Sequence, residues 1–153
     1  MYDTILMLHS WLRWLVLGLG LWAIYLNYTG WKSGSTTFDQ NKKWNTWFVA
    51  SLHTQLILGL LLYFGVSNLM KDILSDFGAA MKNSESRFWA VEHMLGMIIG
   101  IAVAQIGSIK AKKQATDAMK CKTAFIWFAI GLLFILLMIP FGIWNVERPM
   151  FRM

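Results

Sequence analysis

Three histidines, His9, His53 and His93, are the side chains of this sequence best suited to chemistry. Each lies in a different long apolar run, where ionisable groups are unfavourable and usually face the protein interior with a partner. Arg13 follows His9 by about one helical turn, and Glu92 directly precedes His93. Imidazoles ligate haem iron and other transition metals, and Arg and Glu add charge beside such a group. The sequence therefore predicts a cofactor or metal site inside a largely apolar protein.

The composition is that of a membrane protein. Of 153 residues, 57% are hydrophobic and only 14% are charged, whereas soluble domains carry about 25% charged residues. The net charge of +6 is spread over short segments between apolar runs, so we expect the lipid bilayer, and no nucleic acid, as a partner. The single cysteine, Cys121, excludes an intrachain disulfide and a Cys-based zinc motif. The length fits one domain, residues 1–153.

Four apolar runs reach the roughly 20 residues that a helix needs to cross a bilayer core. We predict an all-α, integral-membrane four-helix up-down bundle with spans at about 5–26, 48–66, 88–109 and 124–144. Pro140 is expected to bend the fourth span near its end.

The connections predict the orientation of the chain. Segments 27–45 and 110–122 are rich in lysine and lie on the same side of a four-span protein. The positive-inside rule places them in the cytoplasm and both termini outward. The middle connection, 70–87, faces outward as well. Apolar residues recur at helical intervals beside and within it, as in a helix lying on the membrane or an amphipathic turn packed over the bundle: Leu69, Ile73, Phe77, Ala80 and Met81.

Depth in the bilayer separates the three histidines. At 1.5 Å per residue, His9 lies roughly 10 Å and His93 roughly 8 Å outward of the midplane, and His53 roughly 7 Å inward. Two axial ligands of one haem iron need similar depth on facing helices. We therefore predict that His9 and His93 form the ligand pair. Arg13 is a candidate partner for a haem propionate or a quinone carbonyl, and Arg87 and the middle connection are expected to cover the site.

Small residues follow His93 along one face of the third span, with Gly96 and Gly100 nearest to it. Such a groove has room for the edge of a porphyrin or for a close helix crossing, and both interpretations are open at this stage. Gly20, on the His9 face of the first span, is a further candidate for room around a cofactor.

Two other polar groups have alternative interpretations. His53 and Gln55 are expected to lie nearer the cytoplasm. They are either polar contacts for a quinone or second cofactor, or part of an interhelical hydrogen-bond cluster. Glu92 points about 100° away from His93 around a helix. If Glu92 does not act on a cofactor, we expect it to form an ion pair with Arg87, Arg13 or Lys71.

Four stretches together resemble a family of small bacterial four-span proteins loosely labelled cytochrome b. They are HSWLRW at 9–14, SLHTQLILGLLLYF at 51–64, RFWAVEHMLGM at 87–97 and KAKKQATDAMKCKT at 110–123. The resemblance covers nearly the whole chain. It implies a b-type haem protein of the bacterial inner membrane, with the family's histidines at His9, His53 and His93 and with Arg13 and Glu92 beside them.

The leading prediction is an electron carrier or oxidoreductase subunit rather than a stand-alone enzyme. It would hold one haem b between His9 and His93 and exchange electrons with quinone or a respiratory partner. The first alternative is a cofactor-free accessory subunit that packs against a larger membrane complex or a second copy of itself. The second is a metal site in which His9, His93, Glu92 and His53 hold zinc, copper or iron.

Overall fold

The computed structural model describes residues 1–142, 144 and 146. Within these residues the chain is helical and contains no strand, so the predicted all-α bundle is confirmed. Two short segments, π1 and π2, have the wider π-helical geometry. The elements in chain order are α1 Tyr2–Lys32, α2 Phe38–Leu60, π1 Leu61–Val66, α3 Asn68–Ser75, α4 Phe77–Ala80, α5 Ser84–Arg87, π2 Phe88–Glu92, α6 His93–Lys112 and α7 Asp117–Leu137.

Four helical stretches are long and apolar enough to cross a membrane: Tyr2–Lys32, Phe38–Val66, Ser84–Lys112 and Asp117–Leu137. The first three extend beyond the predicted spans. Hydropathy marks the part of a helix that suits the hydrocarbon core, whereas the helix itself continues through polar residues at both ends. The starts of α2 and α7 are fixed by hydroxyl caps. The Thr37 side chain accepts from the Gln40 N–H, and the Thr116 side chain accepts from the Met119 N–H.

The fourth helix has the predicted length but lies seven residues earlier, from Asp117 to Leu137 rather than from about 124 to Trp144. Pro140 does not bend this helix but follows its end. Proline lacks an N–H and disfavours helical geometry at the preceding residue, so the helix stops before it. The chain then turns at Gly142, whose φ of 93° is accessible to glycine and whose N–H donates to the Val146 carbonyl at 3.1 Å.

The four long helices form a ring. α1 packs against α2 and α7, and α6 packs extensively against α7 and less extensively against α2. α1 and α6 therefore lie diagonally across the bundle. Buried Phe48 and Phe128 fill the centre with their rings edge to face, 5.2 Å between centroids. A Cβ on Gly20 would lie 2.8 Å from the Phe48 ring, so the room expected there for a cofactor is occupied by that ring.

Glycines allow α6 and α7 to pack closely. A Cβ on Gly100 would lie 3.0 Å from the Gly131 carbonyl oxygen, and one on Gly131 would lie 2.8 Å from the Gly100 carbonyl oxygen. A Cβ on Gly96 would overlap the Met138 side chain. The groove predicted on the third span is therefore filled by another helix of the same chain.

The middle connection packs over one end of the bundle, as in the second of the two alternatives. Met70, Ile73 and Ala80 are buried and contact Ala90, and Tyr63, Met81, Trp89 and Val91 pack around them. Leu69 and Phe77 are exposed. The short helices α3 and α4 thus close this end of the bundle and keep part of their apolar surface outside.

Buried amides join α1 and α2 at the opposite end. The Asn27 amide donates to the Ala23 carbonyl at 2.7 Å and to Asn45 Oδ1 at 2.6 Å. The Asn41 amide donates to the Leu26 carbonyl at 3.1 Å and contacts the buried Cys121 sulfur of α7 at 3.8 Å. The connections α1–α2 and α6–α7 therefore lie at the same end, as the charge pattern requires.

We expect Asn27→Leu to lower the free energy of unfolding by about 1–3 kcal/mol, because it leaves the buried Asn45 amide without its partner. Asn45→Leu in the same chain should restore part of the loss. Unfolding by dodecyl sulfate in mixed micelles, followed by circular dichroism, measures both. Exposed Ser33→Ala is the control, with a change within about 0.5 kcal/mol. Strictly additive losses from the two Asn substitutions would contradict the coupling.

Candidate functional site

A cavity of about 180 Å³ lies between the four helices at the end covered by the middle connection. Its walls are mainly apolar, with polar side chains entering from α1, α2, π1, π2 and α6. It contains both histidines predicted to pair, one from each of the diagonal helices. The polar and aromatic residues of its lining are Tyr2, His9, Ser10, Arg13, Gln55, Tyr63, Ser67, Trp89 and His93.

His93 is held by a backbone carbonyl. Its Nδ1 lies 2.8 Å from the Met138 carbonyl oxygen, just beyond the end of α7. Because a carbonyl oxygen only accepts, Nδ1 carries the hydrogen, and in the neutral ring Nε2 is left with its lone pair. The Phe88 and Trp89 rings lie against the imidazole, at 5.7 and 5.3 Å between centroids. Histidines that ligate metals commonly have such a hydrogen bond from the other ring nitrogen.

His9 has a different environment. Its backbone carbonyl accepts from the Gln55 amide at 2.9 Å, which ties α1 to α2. Its ring faces Gly59, where an added Cβ would lie 3.4 Å from Cε1. The Nδ1 of His9 and the Oε1 of Gln55 are buried and have no hydrogen-bond partner within the described part of the chain. The His9 side chain is therefore positioned by packing and still has bonding capacity.

Arg13 also lines the cavity, one turn beyond His9 on α1. Its guanidinium lies 5.4 Å from the Trp14 ring centroid. The predicted neighbourhood of His9, His93 and Arg13 is thus present in the structure.

His53 does not belong to this group. It is exposed on α2, and its Nδ1 lies 2.9 Å from the Val49 carbonyl oxygen one turn earlier. Residues two apart on a helix point about 200° apart, so Gln55 enters the cavity while His53 faces outward. His53 and Gln55 therefore do not share one site. The interhelical hydrogen bond that was one of the two alternatives is made by Gln55, to the His9 carbonyl, and not by the His53 ring.

Glu92 pairs with Arg87, one of its three predicted partners, with 2.7 Å between Nε and Oε1. Neither residue lines the cavity. Met70, at the start of the middle connection, lines the cavity together with Ser67 and Leu69 just before it, whereas Arg87, predicted to cover the site, does not line it.

Gly96 and Gly100 do not line the cavity either. Gly96 packs against the Met138 side chain, and Gly100 packs against the Gly131 carbonyl oxygen of α7. We correct their predicted cofactor role to helix packing. On the side of the cavity nearest His9, Gly59 of α2 is the residue without a side chain.

Comparisons of the chain with protein-family models, curated proteins and solved structures find no match. The assignment of a function therefore depends on the chemistry of the cavity itself.

Residues that the sequence did not single out complete the site. Tyr63 in π1 donates from its hydroxyl to the Ala90 carbonyl of π2 at 2.8 Å. Both π segments border the cavity, through Tyr63 and Trp89, and π-bulges occur frequently at functional sites. Aromatic residues such as Tyr63 and Trp89 are common near the ends of membrane spans, and no sequence signal marked Gly59 or the Met138 carbonyl.

A multi-ligand metal site has no support in the geometry. Across residues 1–142, 144 and 146, no group of three His, Cys, Asp or Glu side chains could hold a metal ion. The cavity instead offers two imidazoles, which is the ligand number of a bis-histidine haem.

Proposed function

We propose that this protein is a membrane b-type cytochrome-like electron carrier, with one haem b held between the first and third spans by His9 and His93. The observation that carries the proposal is the entry of these two imidazoles into one apolar cavity from diagonal helices. When bound, haem b supplies a one-electron iron couple. The residues around it would bind, orient and tune that group.

The state of His93 fits this role. The hydrogen bond from Nδ1 to the Met138 carbonyl orients the ring and leaves Nε2 as the ligating nitrogen. His9, whose Nδ1 has no hydrogen-bond partner in the described structure, would be the second ligand. The lack of a side chain at Gly59 lets the His9 ring pack closely against α2.

Charge and polarity in the cavity fit a haem with propionates. Arg13 would bind a propionate carboxylate, since guanidinium and carboxylate match in geometry and charge. The Arg87–Glu92 pair lies next to His93 along the chain and would influence the potential from outside the cavity. The mainly apolar walls of the cavity would contact the porphyrin faces.

Such a carrier would exchange electrons with the quinone pool or a respiratory partner. Lysines concentrate at the end opposite the cavity, which by the positive-inside rule faces the cytoplasm. The haem would then lie near the outward face of the bacterial inner membrane.

The alternatives have less support. An accessory subunit was predicted from the glycine face of the third span, and that face is covered by α7 of the same chain. The metal-site alternative required Glu92, whose carboxylate pairs with Arg87.

We expect the purified protein, expressed with added 5-aminolevulinate, to contain about one haem b per chain, because the cavity presents one pair of imidazoles. Pyridine haemochromogen quantitation measures the content. A reduced-minus-oxidised spectrum should show the sharp α band of a six-coordinate low-spin iron. A colourless protein, or a high-spin spectrum typical of a single axial ligand, would refute the proposal.

A further inference from the structure

Aromatic rings and lysines converge on Trp31, at the end of the bundle away from the cavity. Tyr28 and Phe125 contact its ring at centroid distances of 6.4 and 5.8 Å. The ammonium of Lys32 lies 4.1 Å and that of Lys122 lies 5.3 Å from the Trp31 ring centroid. We call these five residues, from the end of α1 and the first turns of α7, the Trp31 cluster.

The charges of this end are not balanced. Only two acidic residues, Asp39 and Asp117, lie in segments 27–45 and 110–122, against eight lysines: Lys32, Lys42, Lys43, Lys110, Lys112, Lys113, Lys120 and Lys122. Among the described residues, the ion pair at this end is Lys120–Asp117. Lys32 and Lys122 are exposed and approach the Trp31 ring rather than a carboxylate. Two ammonium groups therefore lie near one ring, and neither forms an ion pair with a carboxylate of the described residues.

The position of the cluster indicates what would neutralise it. α1 ends at Lys32 and α7 begins at Asp117, so the cluster lies where these helices leave the hydrocarbon core. Tyr and Trp concentrate at the level of the lipid headgroups, and basic pockets between helices bind anionic headgroups there.

We propose that the Trp31 cluster binds the phosphate headgroup of an anionic phospholipid, between α1 and α7. Lys32 and Lys122 contact the phosphate, and the rings of Tyr28, Trp31 and Phe125 lie against the glycerol and upper acyl chains. This site lies apart from the cavity and does not depend on the proposed haem.

The test uses the full chain in detergent micelles with phosphatidylglycerol, cardiolipin or phosphatidylcholine titrated in, and lipid adducts counted by native mass spectrometry. We expect the anionic lipids to bind more tightly than phosphatidylcholine. Lys32→Ala/Lys122→Ala should weaken phosphatidylglycerol binding by about 30-fold, since each lysine near the surface contributes about fivefold.

The control is Lys42→Ala/Lys113→Ala, which removes two charges from the same end but outside the cluster, and which should weaken binding about threefold or less. Lys32→Arg/Lys122→Arg should retain binding. Thermal unfolding in detergent verifies that each variant is folded. Equal losses from the two alanine pairs would overturn the proposal in favour of diffuse attraction. Absence of a preference for anionic lipid, or displacement of the lipid by millimolar inorganic phosphate, would overturn it as well.

Discussion

A His93→Ala variant is expected to purify without haem, its content falling from about one to below about 0.1 per chain, because a bis-histidine iron loses one axial ligand. Pyridine haemochromogen quantitation of the purified variant measures this directly. His53→Ala is the matched control, since its ring is exposed and contacts the Val49 carbonyl of its own helix. It should keep nearly all of the haem.

Loss of haem from His93→Ala has a structural explanation that must be separated from ligation. The substitution also leaves the Met138 carbonyl without its donor, which destabilises by about 1–3 kcal/mol where the carbonyl is buried. His9→Ala removes no hydrogen bond to the ring within the described residues, because Nδ1 is unpartnered there. It should nevertheless lose the haem.

Haem and imidazole added together should give His9→Ala a low-spin spectrum, since a free imidazole can occupy the space of the missing ring. Haem retained at wild-type content in both His9→Ala and His93→Ala would contradict the assignment. So would a loss in His53→Ala equal to that in His93→Ala.

The second large effect is expected at the crossing of α6 and α7. In Gly131→Leu the new side chain must enter the space taken by the Gly100 carbonyl oxygen, 2.8 Å from the Cβ position, and by Ala104 at 3.2 Å. A backbone carbonyl cannot rotate away as a side chain can, so the two helices must separate. We expect the free energy of unfolding to fall by about 3 kcal/mol, the upper end for overpacking.

Gly18→Leu is the matched control for Gly131→Leu, because no atom lies within 4 Å of its Cβ position on α1. Its free energy of unfolding should stay within about 0.5 kcal/mol of wild type. Dodecyl sulfate titration of both variants in parallel gives the comparison. Equal stability of the two would show that the close crossing contributes little to the fold.

The helical bundle could be predicted because hydropathy acts on each span separately. Runs of about 20 apolar residues leave few alternatives to a membrane helix. The end of the fourth helix was predicted less well, because apolar character continues through Pro140 to Trp144 although proline stops the helix. Composition signals what surrounds a segment, whereas backbone chemistry decides where the segment ends.

The grouping of His9 with His93 in one cavity was predicted from depth, which requires only residue counts along each span. Depth does not exclude His53, however, because Gln55, only about 3 Å of helix rise beyond it, bonds to the His9 carbonyl. His53 is excluded because it faces outward. Which residues pack against each face of a helix could not be predicted in this way. Helical spacing placed Gly96 and Gly100 on one face with His93, but which helix covers that face depends on packing between α6 and α7. The separation of His53 from Gln55 was available from helical geometry, since two residues turn a helix by about 200°.

The segment π2 has a consequence for how this chain tolerates change in its length. A π turn holds one residue more than an α turn, so it rotates the helix after it by about 100° relative to the helix before it. π2 connects α5 to α6, and His93 is the first residue of α6. Deletion of one residue between Phe88 and Glu92 would leave the hydropathy of the third span nearly unchanged. It would, however, rotate Ala90, whose carbonyl accepts from Tyr63, relative to His93 around the helix axis. Here the number of residues, more than their identity, sets which side chains meet.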